Sequence, residues 1–367
     1  MTLSRRSVLG MGAVALLAGC GNGSTGASAT HSTSGSTPRP LSQLPVTADP
    51  RTLTGPSTAK LADRSVQRVT STEKQQLPTK VVSHFRDGDR TFTVTDTSRI
   101  VAFDLSGSIA ATLWALGLGD RLVARDVSTN FPGTEELPLI TSEGHSVNAE
   151  AILSHRPTLI ITDGTMGPRD VVEQLADTGV PVIFVTNTAS YAGAATLAQE
   201  VGAAVGLPQS GKALGARITT EVAGARQALQ RFVPRSATER LRTVFLYIRG
   251  NSDVYYLFGD DNGVGDLIDG LGGVDVSRQL GWQELQPLTD EAMVAAKPDV
   301  ILVMTDGLAS AGGVNGLLSS KPAVALTPAG KHRRIVDMAD GDVLSFGPRS
   351  AAVLEALGRA VYAPGAA

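Results

Sequence analysis

The sequence predicts an α/β protein of two similar lobes with largely parallel sheets, joined by a long helix. Three observations carry this reading. From Pro78 onward, short apolar runs alternate with stretches of helical spacing, the pattern of strand–helix–strand units. Ala189 to Phe232 breaks that alternation: it keeps helical spacing, holds no strand-like run and contains a single proline, Pro208. Finally, a 14-residue element recurs at a constant offset of 141. The first copy is Asn148-Ala-Glu-Ala-Ile-Leu-Ser-His-Arg-Pro-Thr-Leu-Ile-Ile161 and the second is Thr289-Asp-Glu-Ala-Met-Val-Ala-Ala-Lys-Pro-Asp-Val-Ile-Leu302. Each reads cap, spacer, Glu-Ala, two apolar residues, two spacers, a basic residue, proline, strand. A helix that ends at a proline and feeds a buried strand is common in α/β proteins, so part of the match is convergence. The equal spacing from Glu150 to Pro157 and from Glu291 to Pro298 favours duplication or matched function.

The elements follow in chain order. Residues 1–20 read as an export signal: Arg5 and Arg6 form a charged start, and Val8 to Gly19 is an apolar run shorter than the about 20 residues a membrane span needs. Leu17-Ala-Gly-Cys20 has the form of a lipoprotein cleavage site, which makes Cys20 the lipid-bearing residue; Ser4-Arg-Arg-Ser-Val-Leu9 leaves the Sec and twin-arginine routes both open. Residues 21–77 are expected as a flexible tether, rich in Gly, Ser, Thr, Ala and Pro, followed by a polar N-terminal extension. His31 and His84 in these margins read as solvated.

The N-terminal lobe is placed at 78–188. Lys80 to His84 and Thr91 to Thr95 flank Asp87-Gly88-Asp89 as a hairpin. Strands are expected at Ile100 to Phe103, Leu122 to Ala124, Thr158 to Thr162 and Pro181 to Thr186. Helices are expected at Ser106 to Leu116 with Ser106 as N-cap, at Ala149 to Ser154 capped by Asn148, and at Arg169 to Asp177. Residues 189–232 form the linking helix, continuous or as two helices in tandem. The C-terminal lobe, 233–367, has strands at Arg242 to Ile248, Val254 to Phe258, Val300 to Met304 and Ile335 to Met338. Its helices are Val264 to Leu271, Glu291 to Ala296 and Ser350 to Tyr362. His332, in the basic run Gly330-Lys-His-Arg-Arg334, reads as solvated.

Composition narrows the function. The formal net charge is -3, and -5 once Arg5 and Arg6 are removed; there is no basic stripe, and aromatic residues make up only 4%, which argues against nucleic acid. Cys20 is the single cysteine, so no intrachain disulfide and no thiol nucleophile is available in the body. Gly206-Leu-Pro-Gln-Ser-Gly-Lys-Ala213 approaches a phosphate-binding loop but ends in alanine and does not follow a strand. There is no Gly-x-Ser-x-Gly turn for a hydrolase. A zinc or manganese site needs several converging His, Asp or Glu ligands, and the histidines are too few and too scattered.

The stretch with chemistry is Thr243-Val-Phe-Leu-Tyr-Ile-Arg-Gly250. Strand side chains alternate faces, so Tyr247 and Arg249 share one face at the carboxyl end, where open α/β sheets bind ligands. A cation beside a phenol favours the phenolate, and a phenolate can ligate ferric haem. Taken alone, the stretch favours a core tyrosine and a surface arginine. His145 is the histidine that sits in a loop between elements, in Gly144-His-Ser146; His155 lies in the repeated helix and reads as structural. Glu150 and Glu291 each fall in the first turn of their helix, where a carboxylate is favoured on electrostatic grounds alone.

Taken together, a lipoprotein signal, a tether, two α/β lobes and a helical link resemble the helix-linked (class III) periplasmic binding proteins of ABC importers. The resemblance covers about Ile100 to Tyr362. Within that superfamily the chain is most similar to the haemin-binding lipoproteins of Gram-positive actinobacteria, the HmuT type. The resemblance implies that His145 and Tyr247 bind the iron of ferric haem b from opposite faces, that Arg249 hydrogen-bonds the phenolate, and that Met304 is a pocket methionine. It implies that Glu150 and Glu291 dock on the permease dimer. Trp282 and Tyr255-Tyr256 are further candidates for packing on the porphyrin. The implied protein is a monomer, lipid-anchored through Cys20 on the outer face of the cytoplasmic membrane, that delivers haem without catalysing a reaction. A ferric siderophore or a corrinoid is the alternative ligand, and a haem-dependent enzyme the alternative class.

Overall fold

The computed structural model describes residues 39–141, 144–259 and 262–366. The signal, Cys20, His31 and most of the expected tether lie outside them. Strands are numbered in chain order: β1 (Ser57–Ala59), β2 (Thr79–Phe85), β3 (Gly88–Val94), β4 (Ile100–Phe103), β5 (Leu122–Ala124), β6 (Leu159–Thr162), β7 (Val182–Phe184), β8 (Arg242–Arg249), β9 (Val254–Leu257), β10 (Val274–Asp275), β11 (Gln286–Pro287), β12 (Val300–Met304) and β13 (Ile335–Met338).

The N-terminal lobe is a parallel sheet in the order β5-β4-β6-β7, with β2 and β3 as a separate antiparallel hairpin. The C-terminal lobe is a mixed sheet in the order β1-β13-β12-β8-β9-β11, with β10 also against β8. Its central strands β13, β12 and β8 are parallel, while β9 and β11 are antiparallel. The central strands are apolar on both faces because helices or loops cover both sides. Ile100 and Ala102 face one cluster, while Val101 and Phe103 face another; Val300 and Leu302 likewise part company with Ile301 and Val303. Each fully buried Ile or Leu on these strands contributes about 1.5–3 kcal/mol.

The link is helical, and of the two forms expected it takes the second, two helices. Tyr191–Ala204 and Pro208–Leu229 fold back on each other through Val205-Gly206-Leu207. Small residues allow this: a Cβ on Gly211 would lie 2.6 Å from the Ala198 carbonyl oxygen, and one on Gly215 would lie 2.7 Å from that of Ala195. As the second helix advances it meets earlier residues of the first, which makes the pair antiparallel.

Both copies of the repeat adopt the same form. Asn148 Oδ1 accepts the Ala151 N–H, and Thr289 Oγ1 accepts the Ala292 N–H. The basic residue before each proline is left-handed, Arg156 at φ 47° and Lys297 at φ 42°. That αL residue stops the helix and turns the chain into the strand.

Two readings change. Ser106 is not the N-cap of the first helix, which runs Ser108–Ala115; the Asp104 carboxylate takes that role, accepting the N–H groups of Ser108 and Ile109, both at 3.0 Å. Residues 39–45, within the expected tether, and the polar stretch 46–77, whose place the sequence left open, pack on the body. They add β1 to the edge of β13, and Glu73 accepts the Gln209 and Ser210 N–H groups at the start of the second linking helix. Arg334, two residues after His332 in the basic run, is 2% exposed.

Candidate functional site

The site is assembled from the carboxyl ends of the strands in the two lobes, where loops leave the sheet. On the second lobe, β8 brings Tyr247 and Arg249 to one face, as alternation requires. Val244, Leu246 and Ile248 point into the opposite core, while Tyr247 and Arg249 remain half-buried. The Arg249 guanidinium carbon lies 4.5 Å from the centre of the Tyr247 ring. It therefore covers the ring face and does not reach for the phenol oxygen. Its Nη1 donates to the Ile248 carbonyl at 2.8 Å, and its Nη2 lies 3.5 Å from Asp340 Oδ2. Burial lifts the Asp340 carboxyl above its ordinary value, against the pull of Arg249.

Tyr256 pairs with Tyr247 across β9, and directly opposed residues share a face. Tyr255 therefore faces the other way. It is buried in the opposite core with Lys321 over its ring, and Trp282 packs against that same core. Of the aromatic candidates in this part of the sequence, Tyr256 joins the Tyr247 face, and Tyr255 and Trp282 do not. Met304 follows Val303, which is in register with Leu246, so it stands beside Tyr247; it packs against the core on that side.

On the first lobe, His145 is exposed and sits beyond the isolated pairing of Thr141 with Val147. Gly144 adopts φ 69°, a left-handed turn that glycine takes at no steric cost. Buried Val147 anchors the loop, its N–H bonded to the Gly167 carbonyl at 2.9 Å. The imidazole pKa is lowered from 6.5, first by desolvation and then by the Arg249 charge. The guanidinium of the second lobe is thus felt by the histidine of the first. Both causes favour the uncharged imidazole.

Sequence reasoning missed the floor of this side. Asp104, Asp126, Asp163 and Asn187 follow β4, β5, β6 and β7 in turn. Burial and the neighbouring carboxylates push Asp104 up to about 7, and burial pushes Asp126 up to about 6. Their oxygens are occupied by backbone N–H groups of Ser108, Ile109, Asp104 and Thr129, so the cluster braces the loops. Among the described residues, no three His, Cys, Asp or Glu side chains form a metal-holding group. Leu105 and Val127, each next to one of these aspartates, are exposed at 46% and 43%. Ser128 ties them together by donating to the Leu105 carbonyl at 2.7 Å. No motif marks them; only the topology makes them neighbours. Glu150 and Glu291 are exposed in the first turns of their helices, equivalent by the repeat.

Residues 103–340 match the family model described as periplasmic binding protein. The chain belongs to that family. It is 25% identical over 253 residues to the ABC transporter substrate-binding lipoprotein YvrC of Bacillus subtilis strain 168, covering 68% of this chain and 76% of YvrC. Among solved structures it resembles the heme binding protein HmuT at 37% identity and a TM-score of 0.79, with 86% of this chain and 99% of that one covered. It also resembles the periplasmic heme-binding protein RhuT of Roseiflexus sp. RS-1 at 36% identity and a TM-score of 0.66, covering 73% and 98%. Alanine variants of HmuT at a histidine, a tyrosine and an arginine have also been solved. Two α/β lobes with largely parallel sheets are the architecture of this family, whose members bind ligands for ABC transporters.

Proposed function

We propose that this protein binds ferric haem b between His145 and Tyr247 and delivers it to an ABC importer. The observation that carries the reading is the position of Arg249. One guanidinium lies 4.5 Å from the centre of the Tyr247 ring, and its charge adds to desolvation in lowering the pKa of His145 on the other lobe. A cation there suits an anionic oxygen ligand and an uncharged imidazole, the two donors that ligate ferric haem. The donors fit the ligand: one nitrogen and one oxygen on opposing lobes, with Leu105, Val127, Tyr256 and Met304 as apolar cover. Haem bound in this way is cargo; two protein ligands leave no open position for peroxide or oxygen chemistry. The proposal extends to a monomer tethered by lipid on Cys20, on the outer face of the membrane of a Gram-positive bacterium, with Glu150 and Glu291 meeting the permease dimer.

The test is an absorption titration of the stripped body with haemin, for wild type, His145→Ala and Tyr247→Ala. The expected result is a Soret band that saturates at one equivalent and is altered in both variants. A saturable band unchanged by either substitution would remove the assigned ligands. No saturable band would return the question to siderophores and corrinoids, which also bind this fold.

A further inference from the structure

Arg249 is fixed by more than the ring it covers. Asp340 follows β13 and is half-buried. Its Oδ2 faces the guanidinium at 3.5 Å, and its Oδ1 accepts the Asp306 N–H at 3.0 Å. One carboxylate oxygen is thus tied to the start of the helix Thr305–Ser310, which orients the other towards Arg249. The same helix supplies the space. A Cβ on Gly307 would lie 3.3 Å from Arg249 Nη1 and 2.7 Å from the Ile248 carbonyl oxygen. Backbone carbonyl, carboxylate, glycine and aromatic ring together leave the guanidinium one place to sit.

We infer that Asp340 is the positioning residue for Arg249, holding it beside Tyr247 and, as a counter-charge, limiting how much positive charge the phenolate feels. The inference rests on the haem reading above. Outer partners of a ligating group set its basicity and hence the strength of its bond to the metal. An unopposed guanidinium would stabilise the phenolate electrons and make the oxygen a poorer donor. Paired with the Asp340 carboxylate, Arg249 would draw less electron density from a coordinated phenolate oxygen and leave it the better donor.

The test reads the phenolate-to-iron charge-transfer band of the ferric haemin complex. Removing the counter-charge in Asp340→Asn is expected to move the band to shorter wavelength. Removing the cation in Arg249→Ala should move it to longer wavelength. In the Arg249→Ala background the Asp340→Asn shift should largely vanish, since Asp340 acts through the arginine. Gly307→Ala, which displaces the guanidinium from the opposite side, should shift the band in the direction of Arg249→Ala and serves if Asp340→Asn does not fold. An unmoved band in Asp340→Asn or, should that variant not fold, in Gly307→Ala, or a shift of equal size with and without Arg249, overturns the assignment. A wild-type complex without a phenolate band would instead sink the axial role of Tyr247, which is a separate failure.

Discussion

At the scale of single residues, the site turns on one charge with two effects. Arg249 acts on Tyr247 at ring-contact distance and on His145 through space. The consequence for pH has a definite sign. The His145 pKa is below its ordinary 6.5, first through desolvation and then through the Arg249 charge. With His145 as the proposed iron ligand, the histidine-dependent part of haemin affinity should fall with a midpoint more acidic than 6.5. Arg249→Ala removes the second cause of the lowering and should move the fall upward in pH. Titrations at stepped pH for wild type, Arg249→Ala and His145→Ala check this. A wild-type midpoint above 6.5 would be incompatible with the lowered imidazole pKa. Arg249→Ala should also weaken binding by about 10–100-fold at neutral pH, the usual cost of losing a partner of a metal ligand.

At the scale of elements, the residues before Pro78 are the finding least legible in the sequence. Ser57-Thr-Ala59 has no strand-like apolar alternation; it is a strand because the open edge of β13 offers unpaired backbone groups. Arg334 secures it. The guanidinium donates to the Gly55 carbonyl and Ser57 Oγ on the N-terminal segment, and to the Ala360 and Val361 carbonyls at the end of the last helix. Burial pulls this guanidinium down to about 10, yet four oxygens and a helix C-terminus keep it charged. Arg334→Met should therefore cost at least about 2 kcal/mol, because buried acceptors lose charged donors. Thermal or denaturant unfolding measures it, and a change within about 0.5 kcal/mol would mean the contacts contribute as little as ordinary surface ones. The helical link was half legible for a related reason. Helical spacing showed in the sequence, but the reversal depends on Gly211 and Gly215 packing against carbonyls of a helix that sequence order alone does not place beside them.

At the scale of the whole molecule, the repeat and the strand alternation were readable because buried central strands must be apolar on both faces, whatever the ligand. Tyr247, Arg249 and His145 were readable from residue type, spacing and resemblance. Asp340, Leu105 and Val127 were not, because only strand order brings them to the same edges; of the pair Tyr255-Tyr256, only the pairing of β8 with β9 tells that Tyr256 shares the Tyr247 face. The largest core cluster continues from Ile100 and Ile109 of the first lobe, through Leu197 and Leu214 of the link, to Phe245 and Leu302 of the second. A connection packed in this way resists free hinge bending. The repeat places one exposed carboxylate on each lobe, Glu150 and Glu291, in the first turn of a capped helix, the pair proposed above to meet the permease. Separate binding and docking functions can then be told apart by charge reversal. Glu150→Lys with Glu291→Lys should leave the haemin titration unchanged and abolish stimulation of the importer's ATPase, with each single change giving a partial loss. Both carboxylates are solvent-exposed, so the substitutions should cost little stability, within about 0.5 kcal/mol. Full stimulation by the double variant would place the docking contact elsewhere, whereas impaired haemin binding would mean these helices serve the cleft and not the permease.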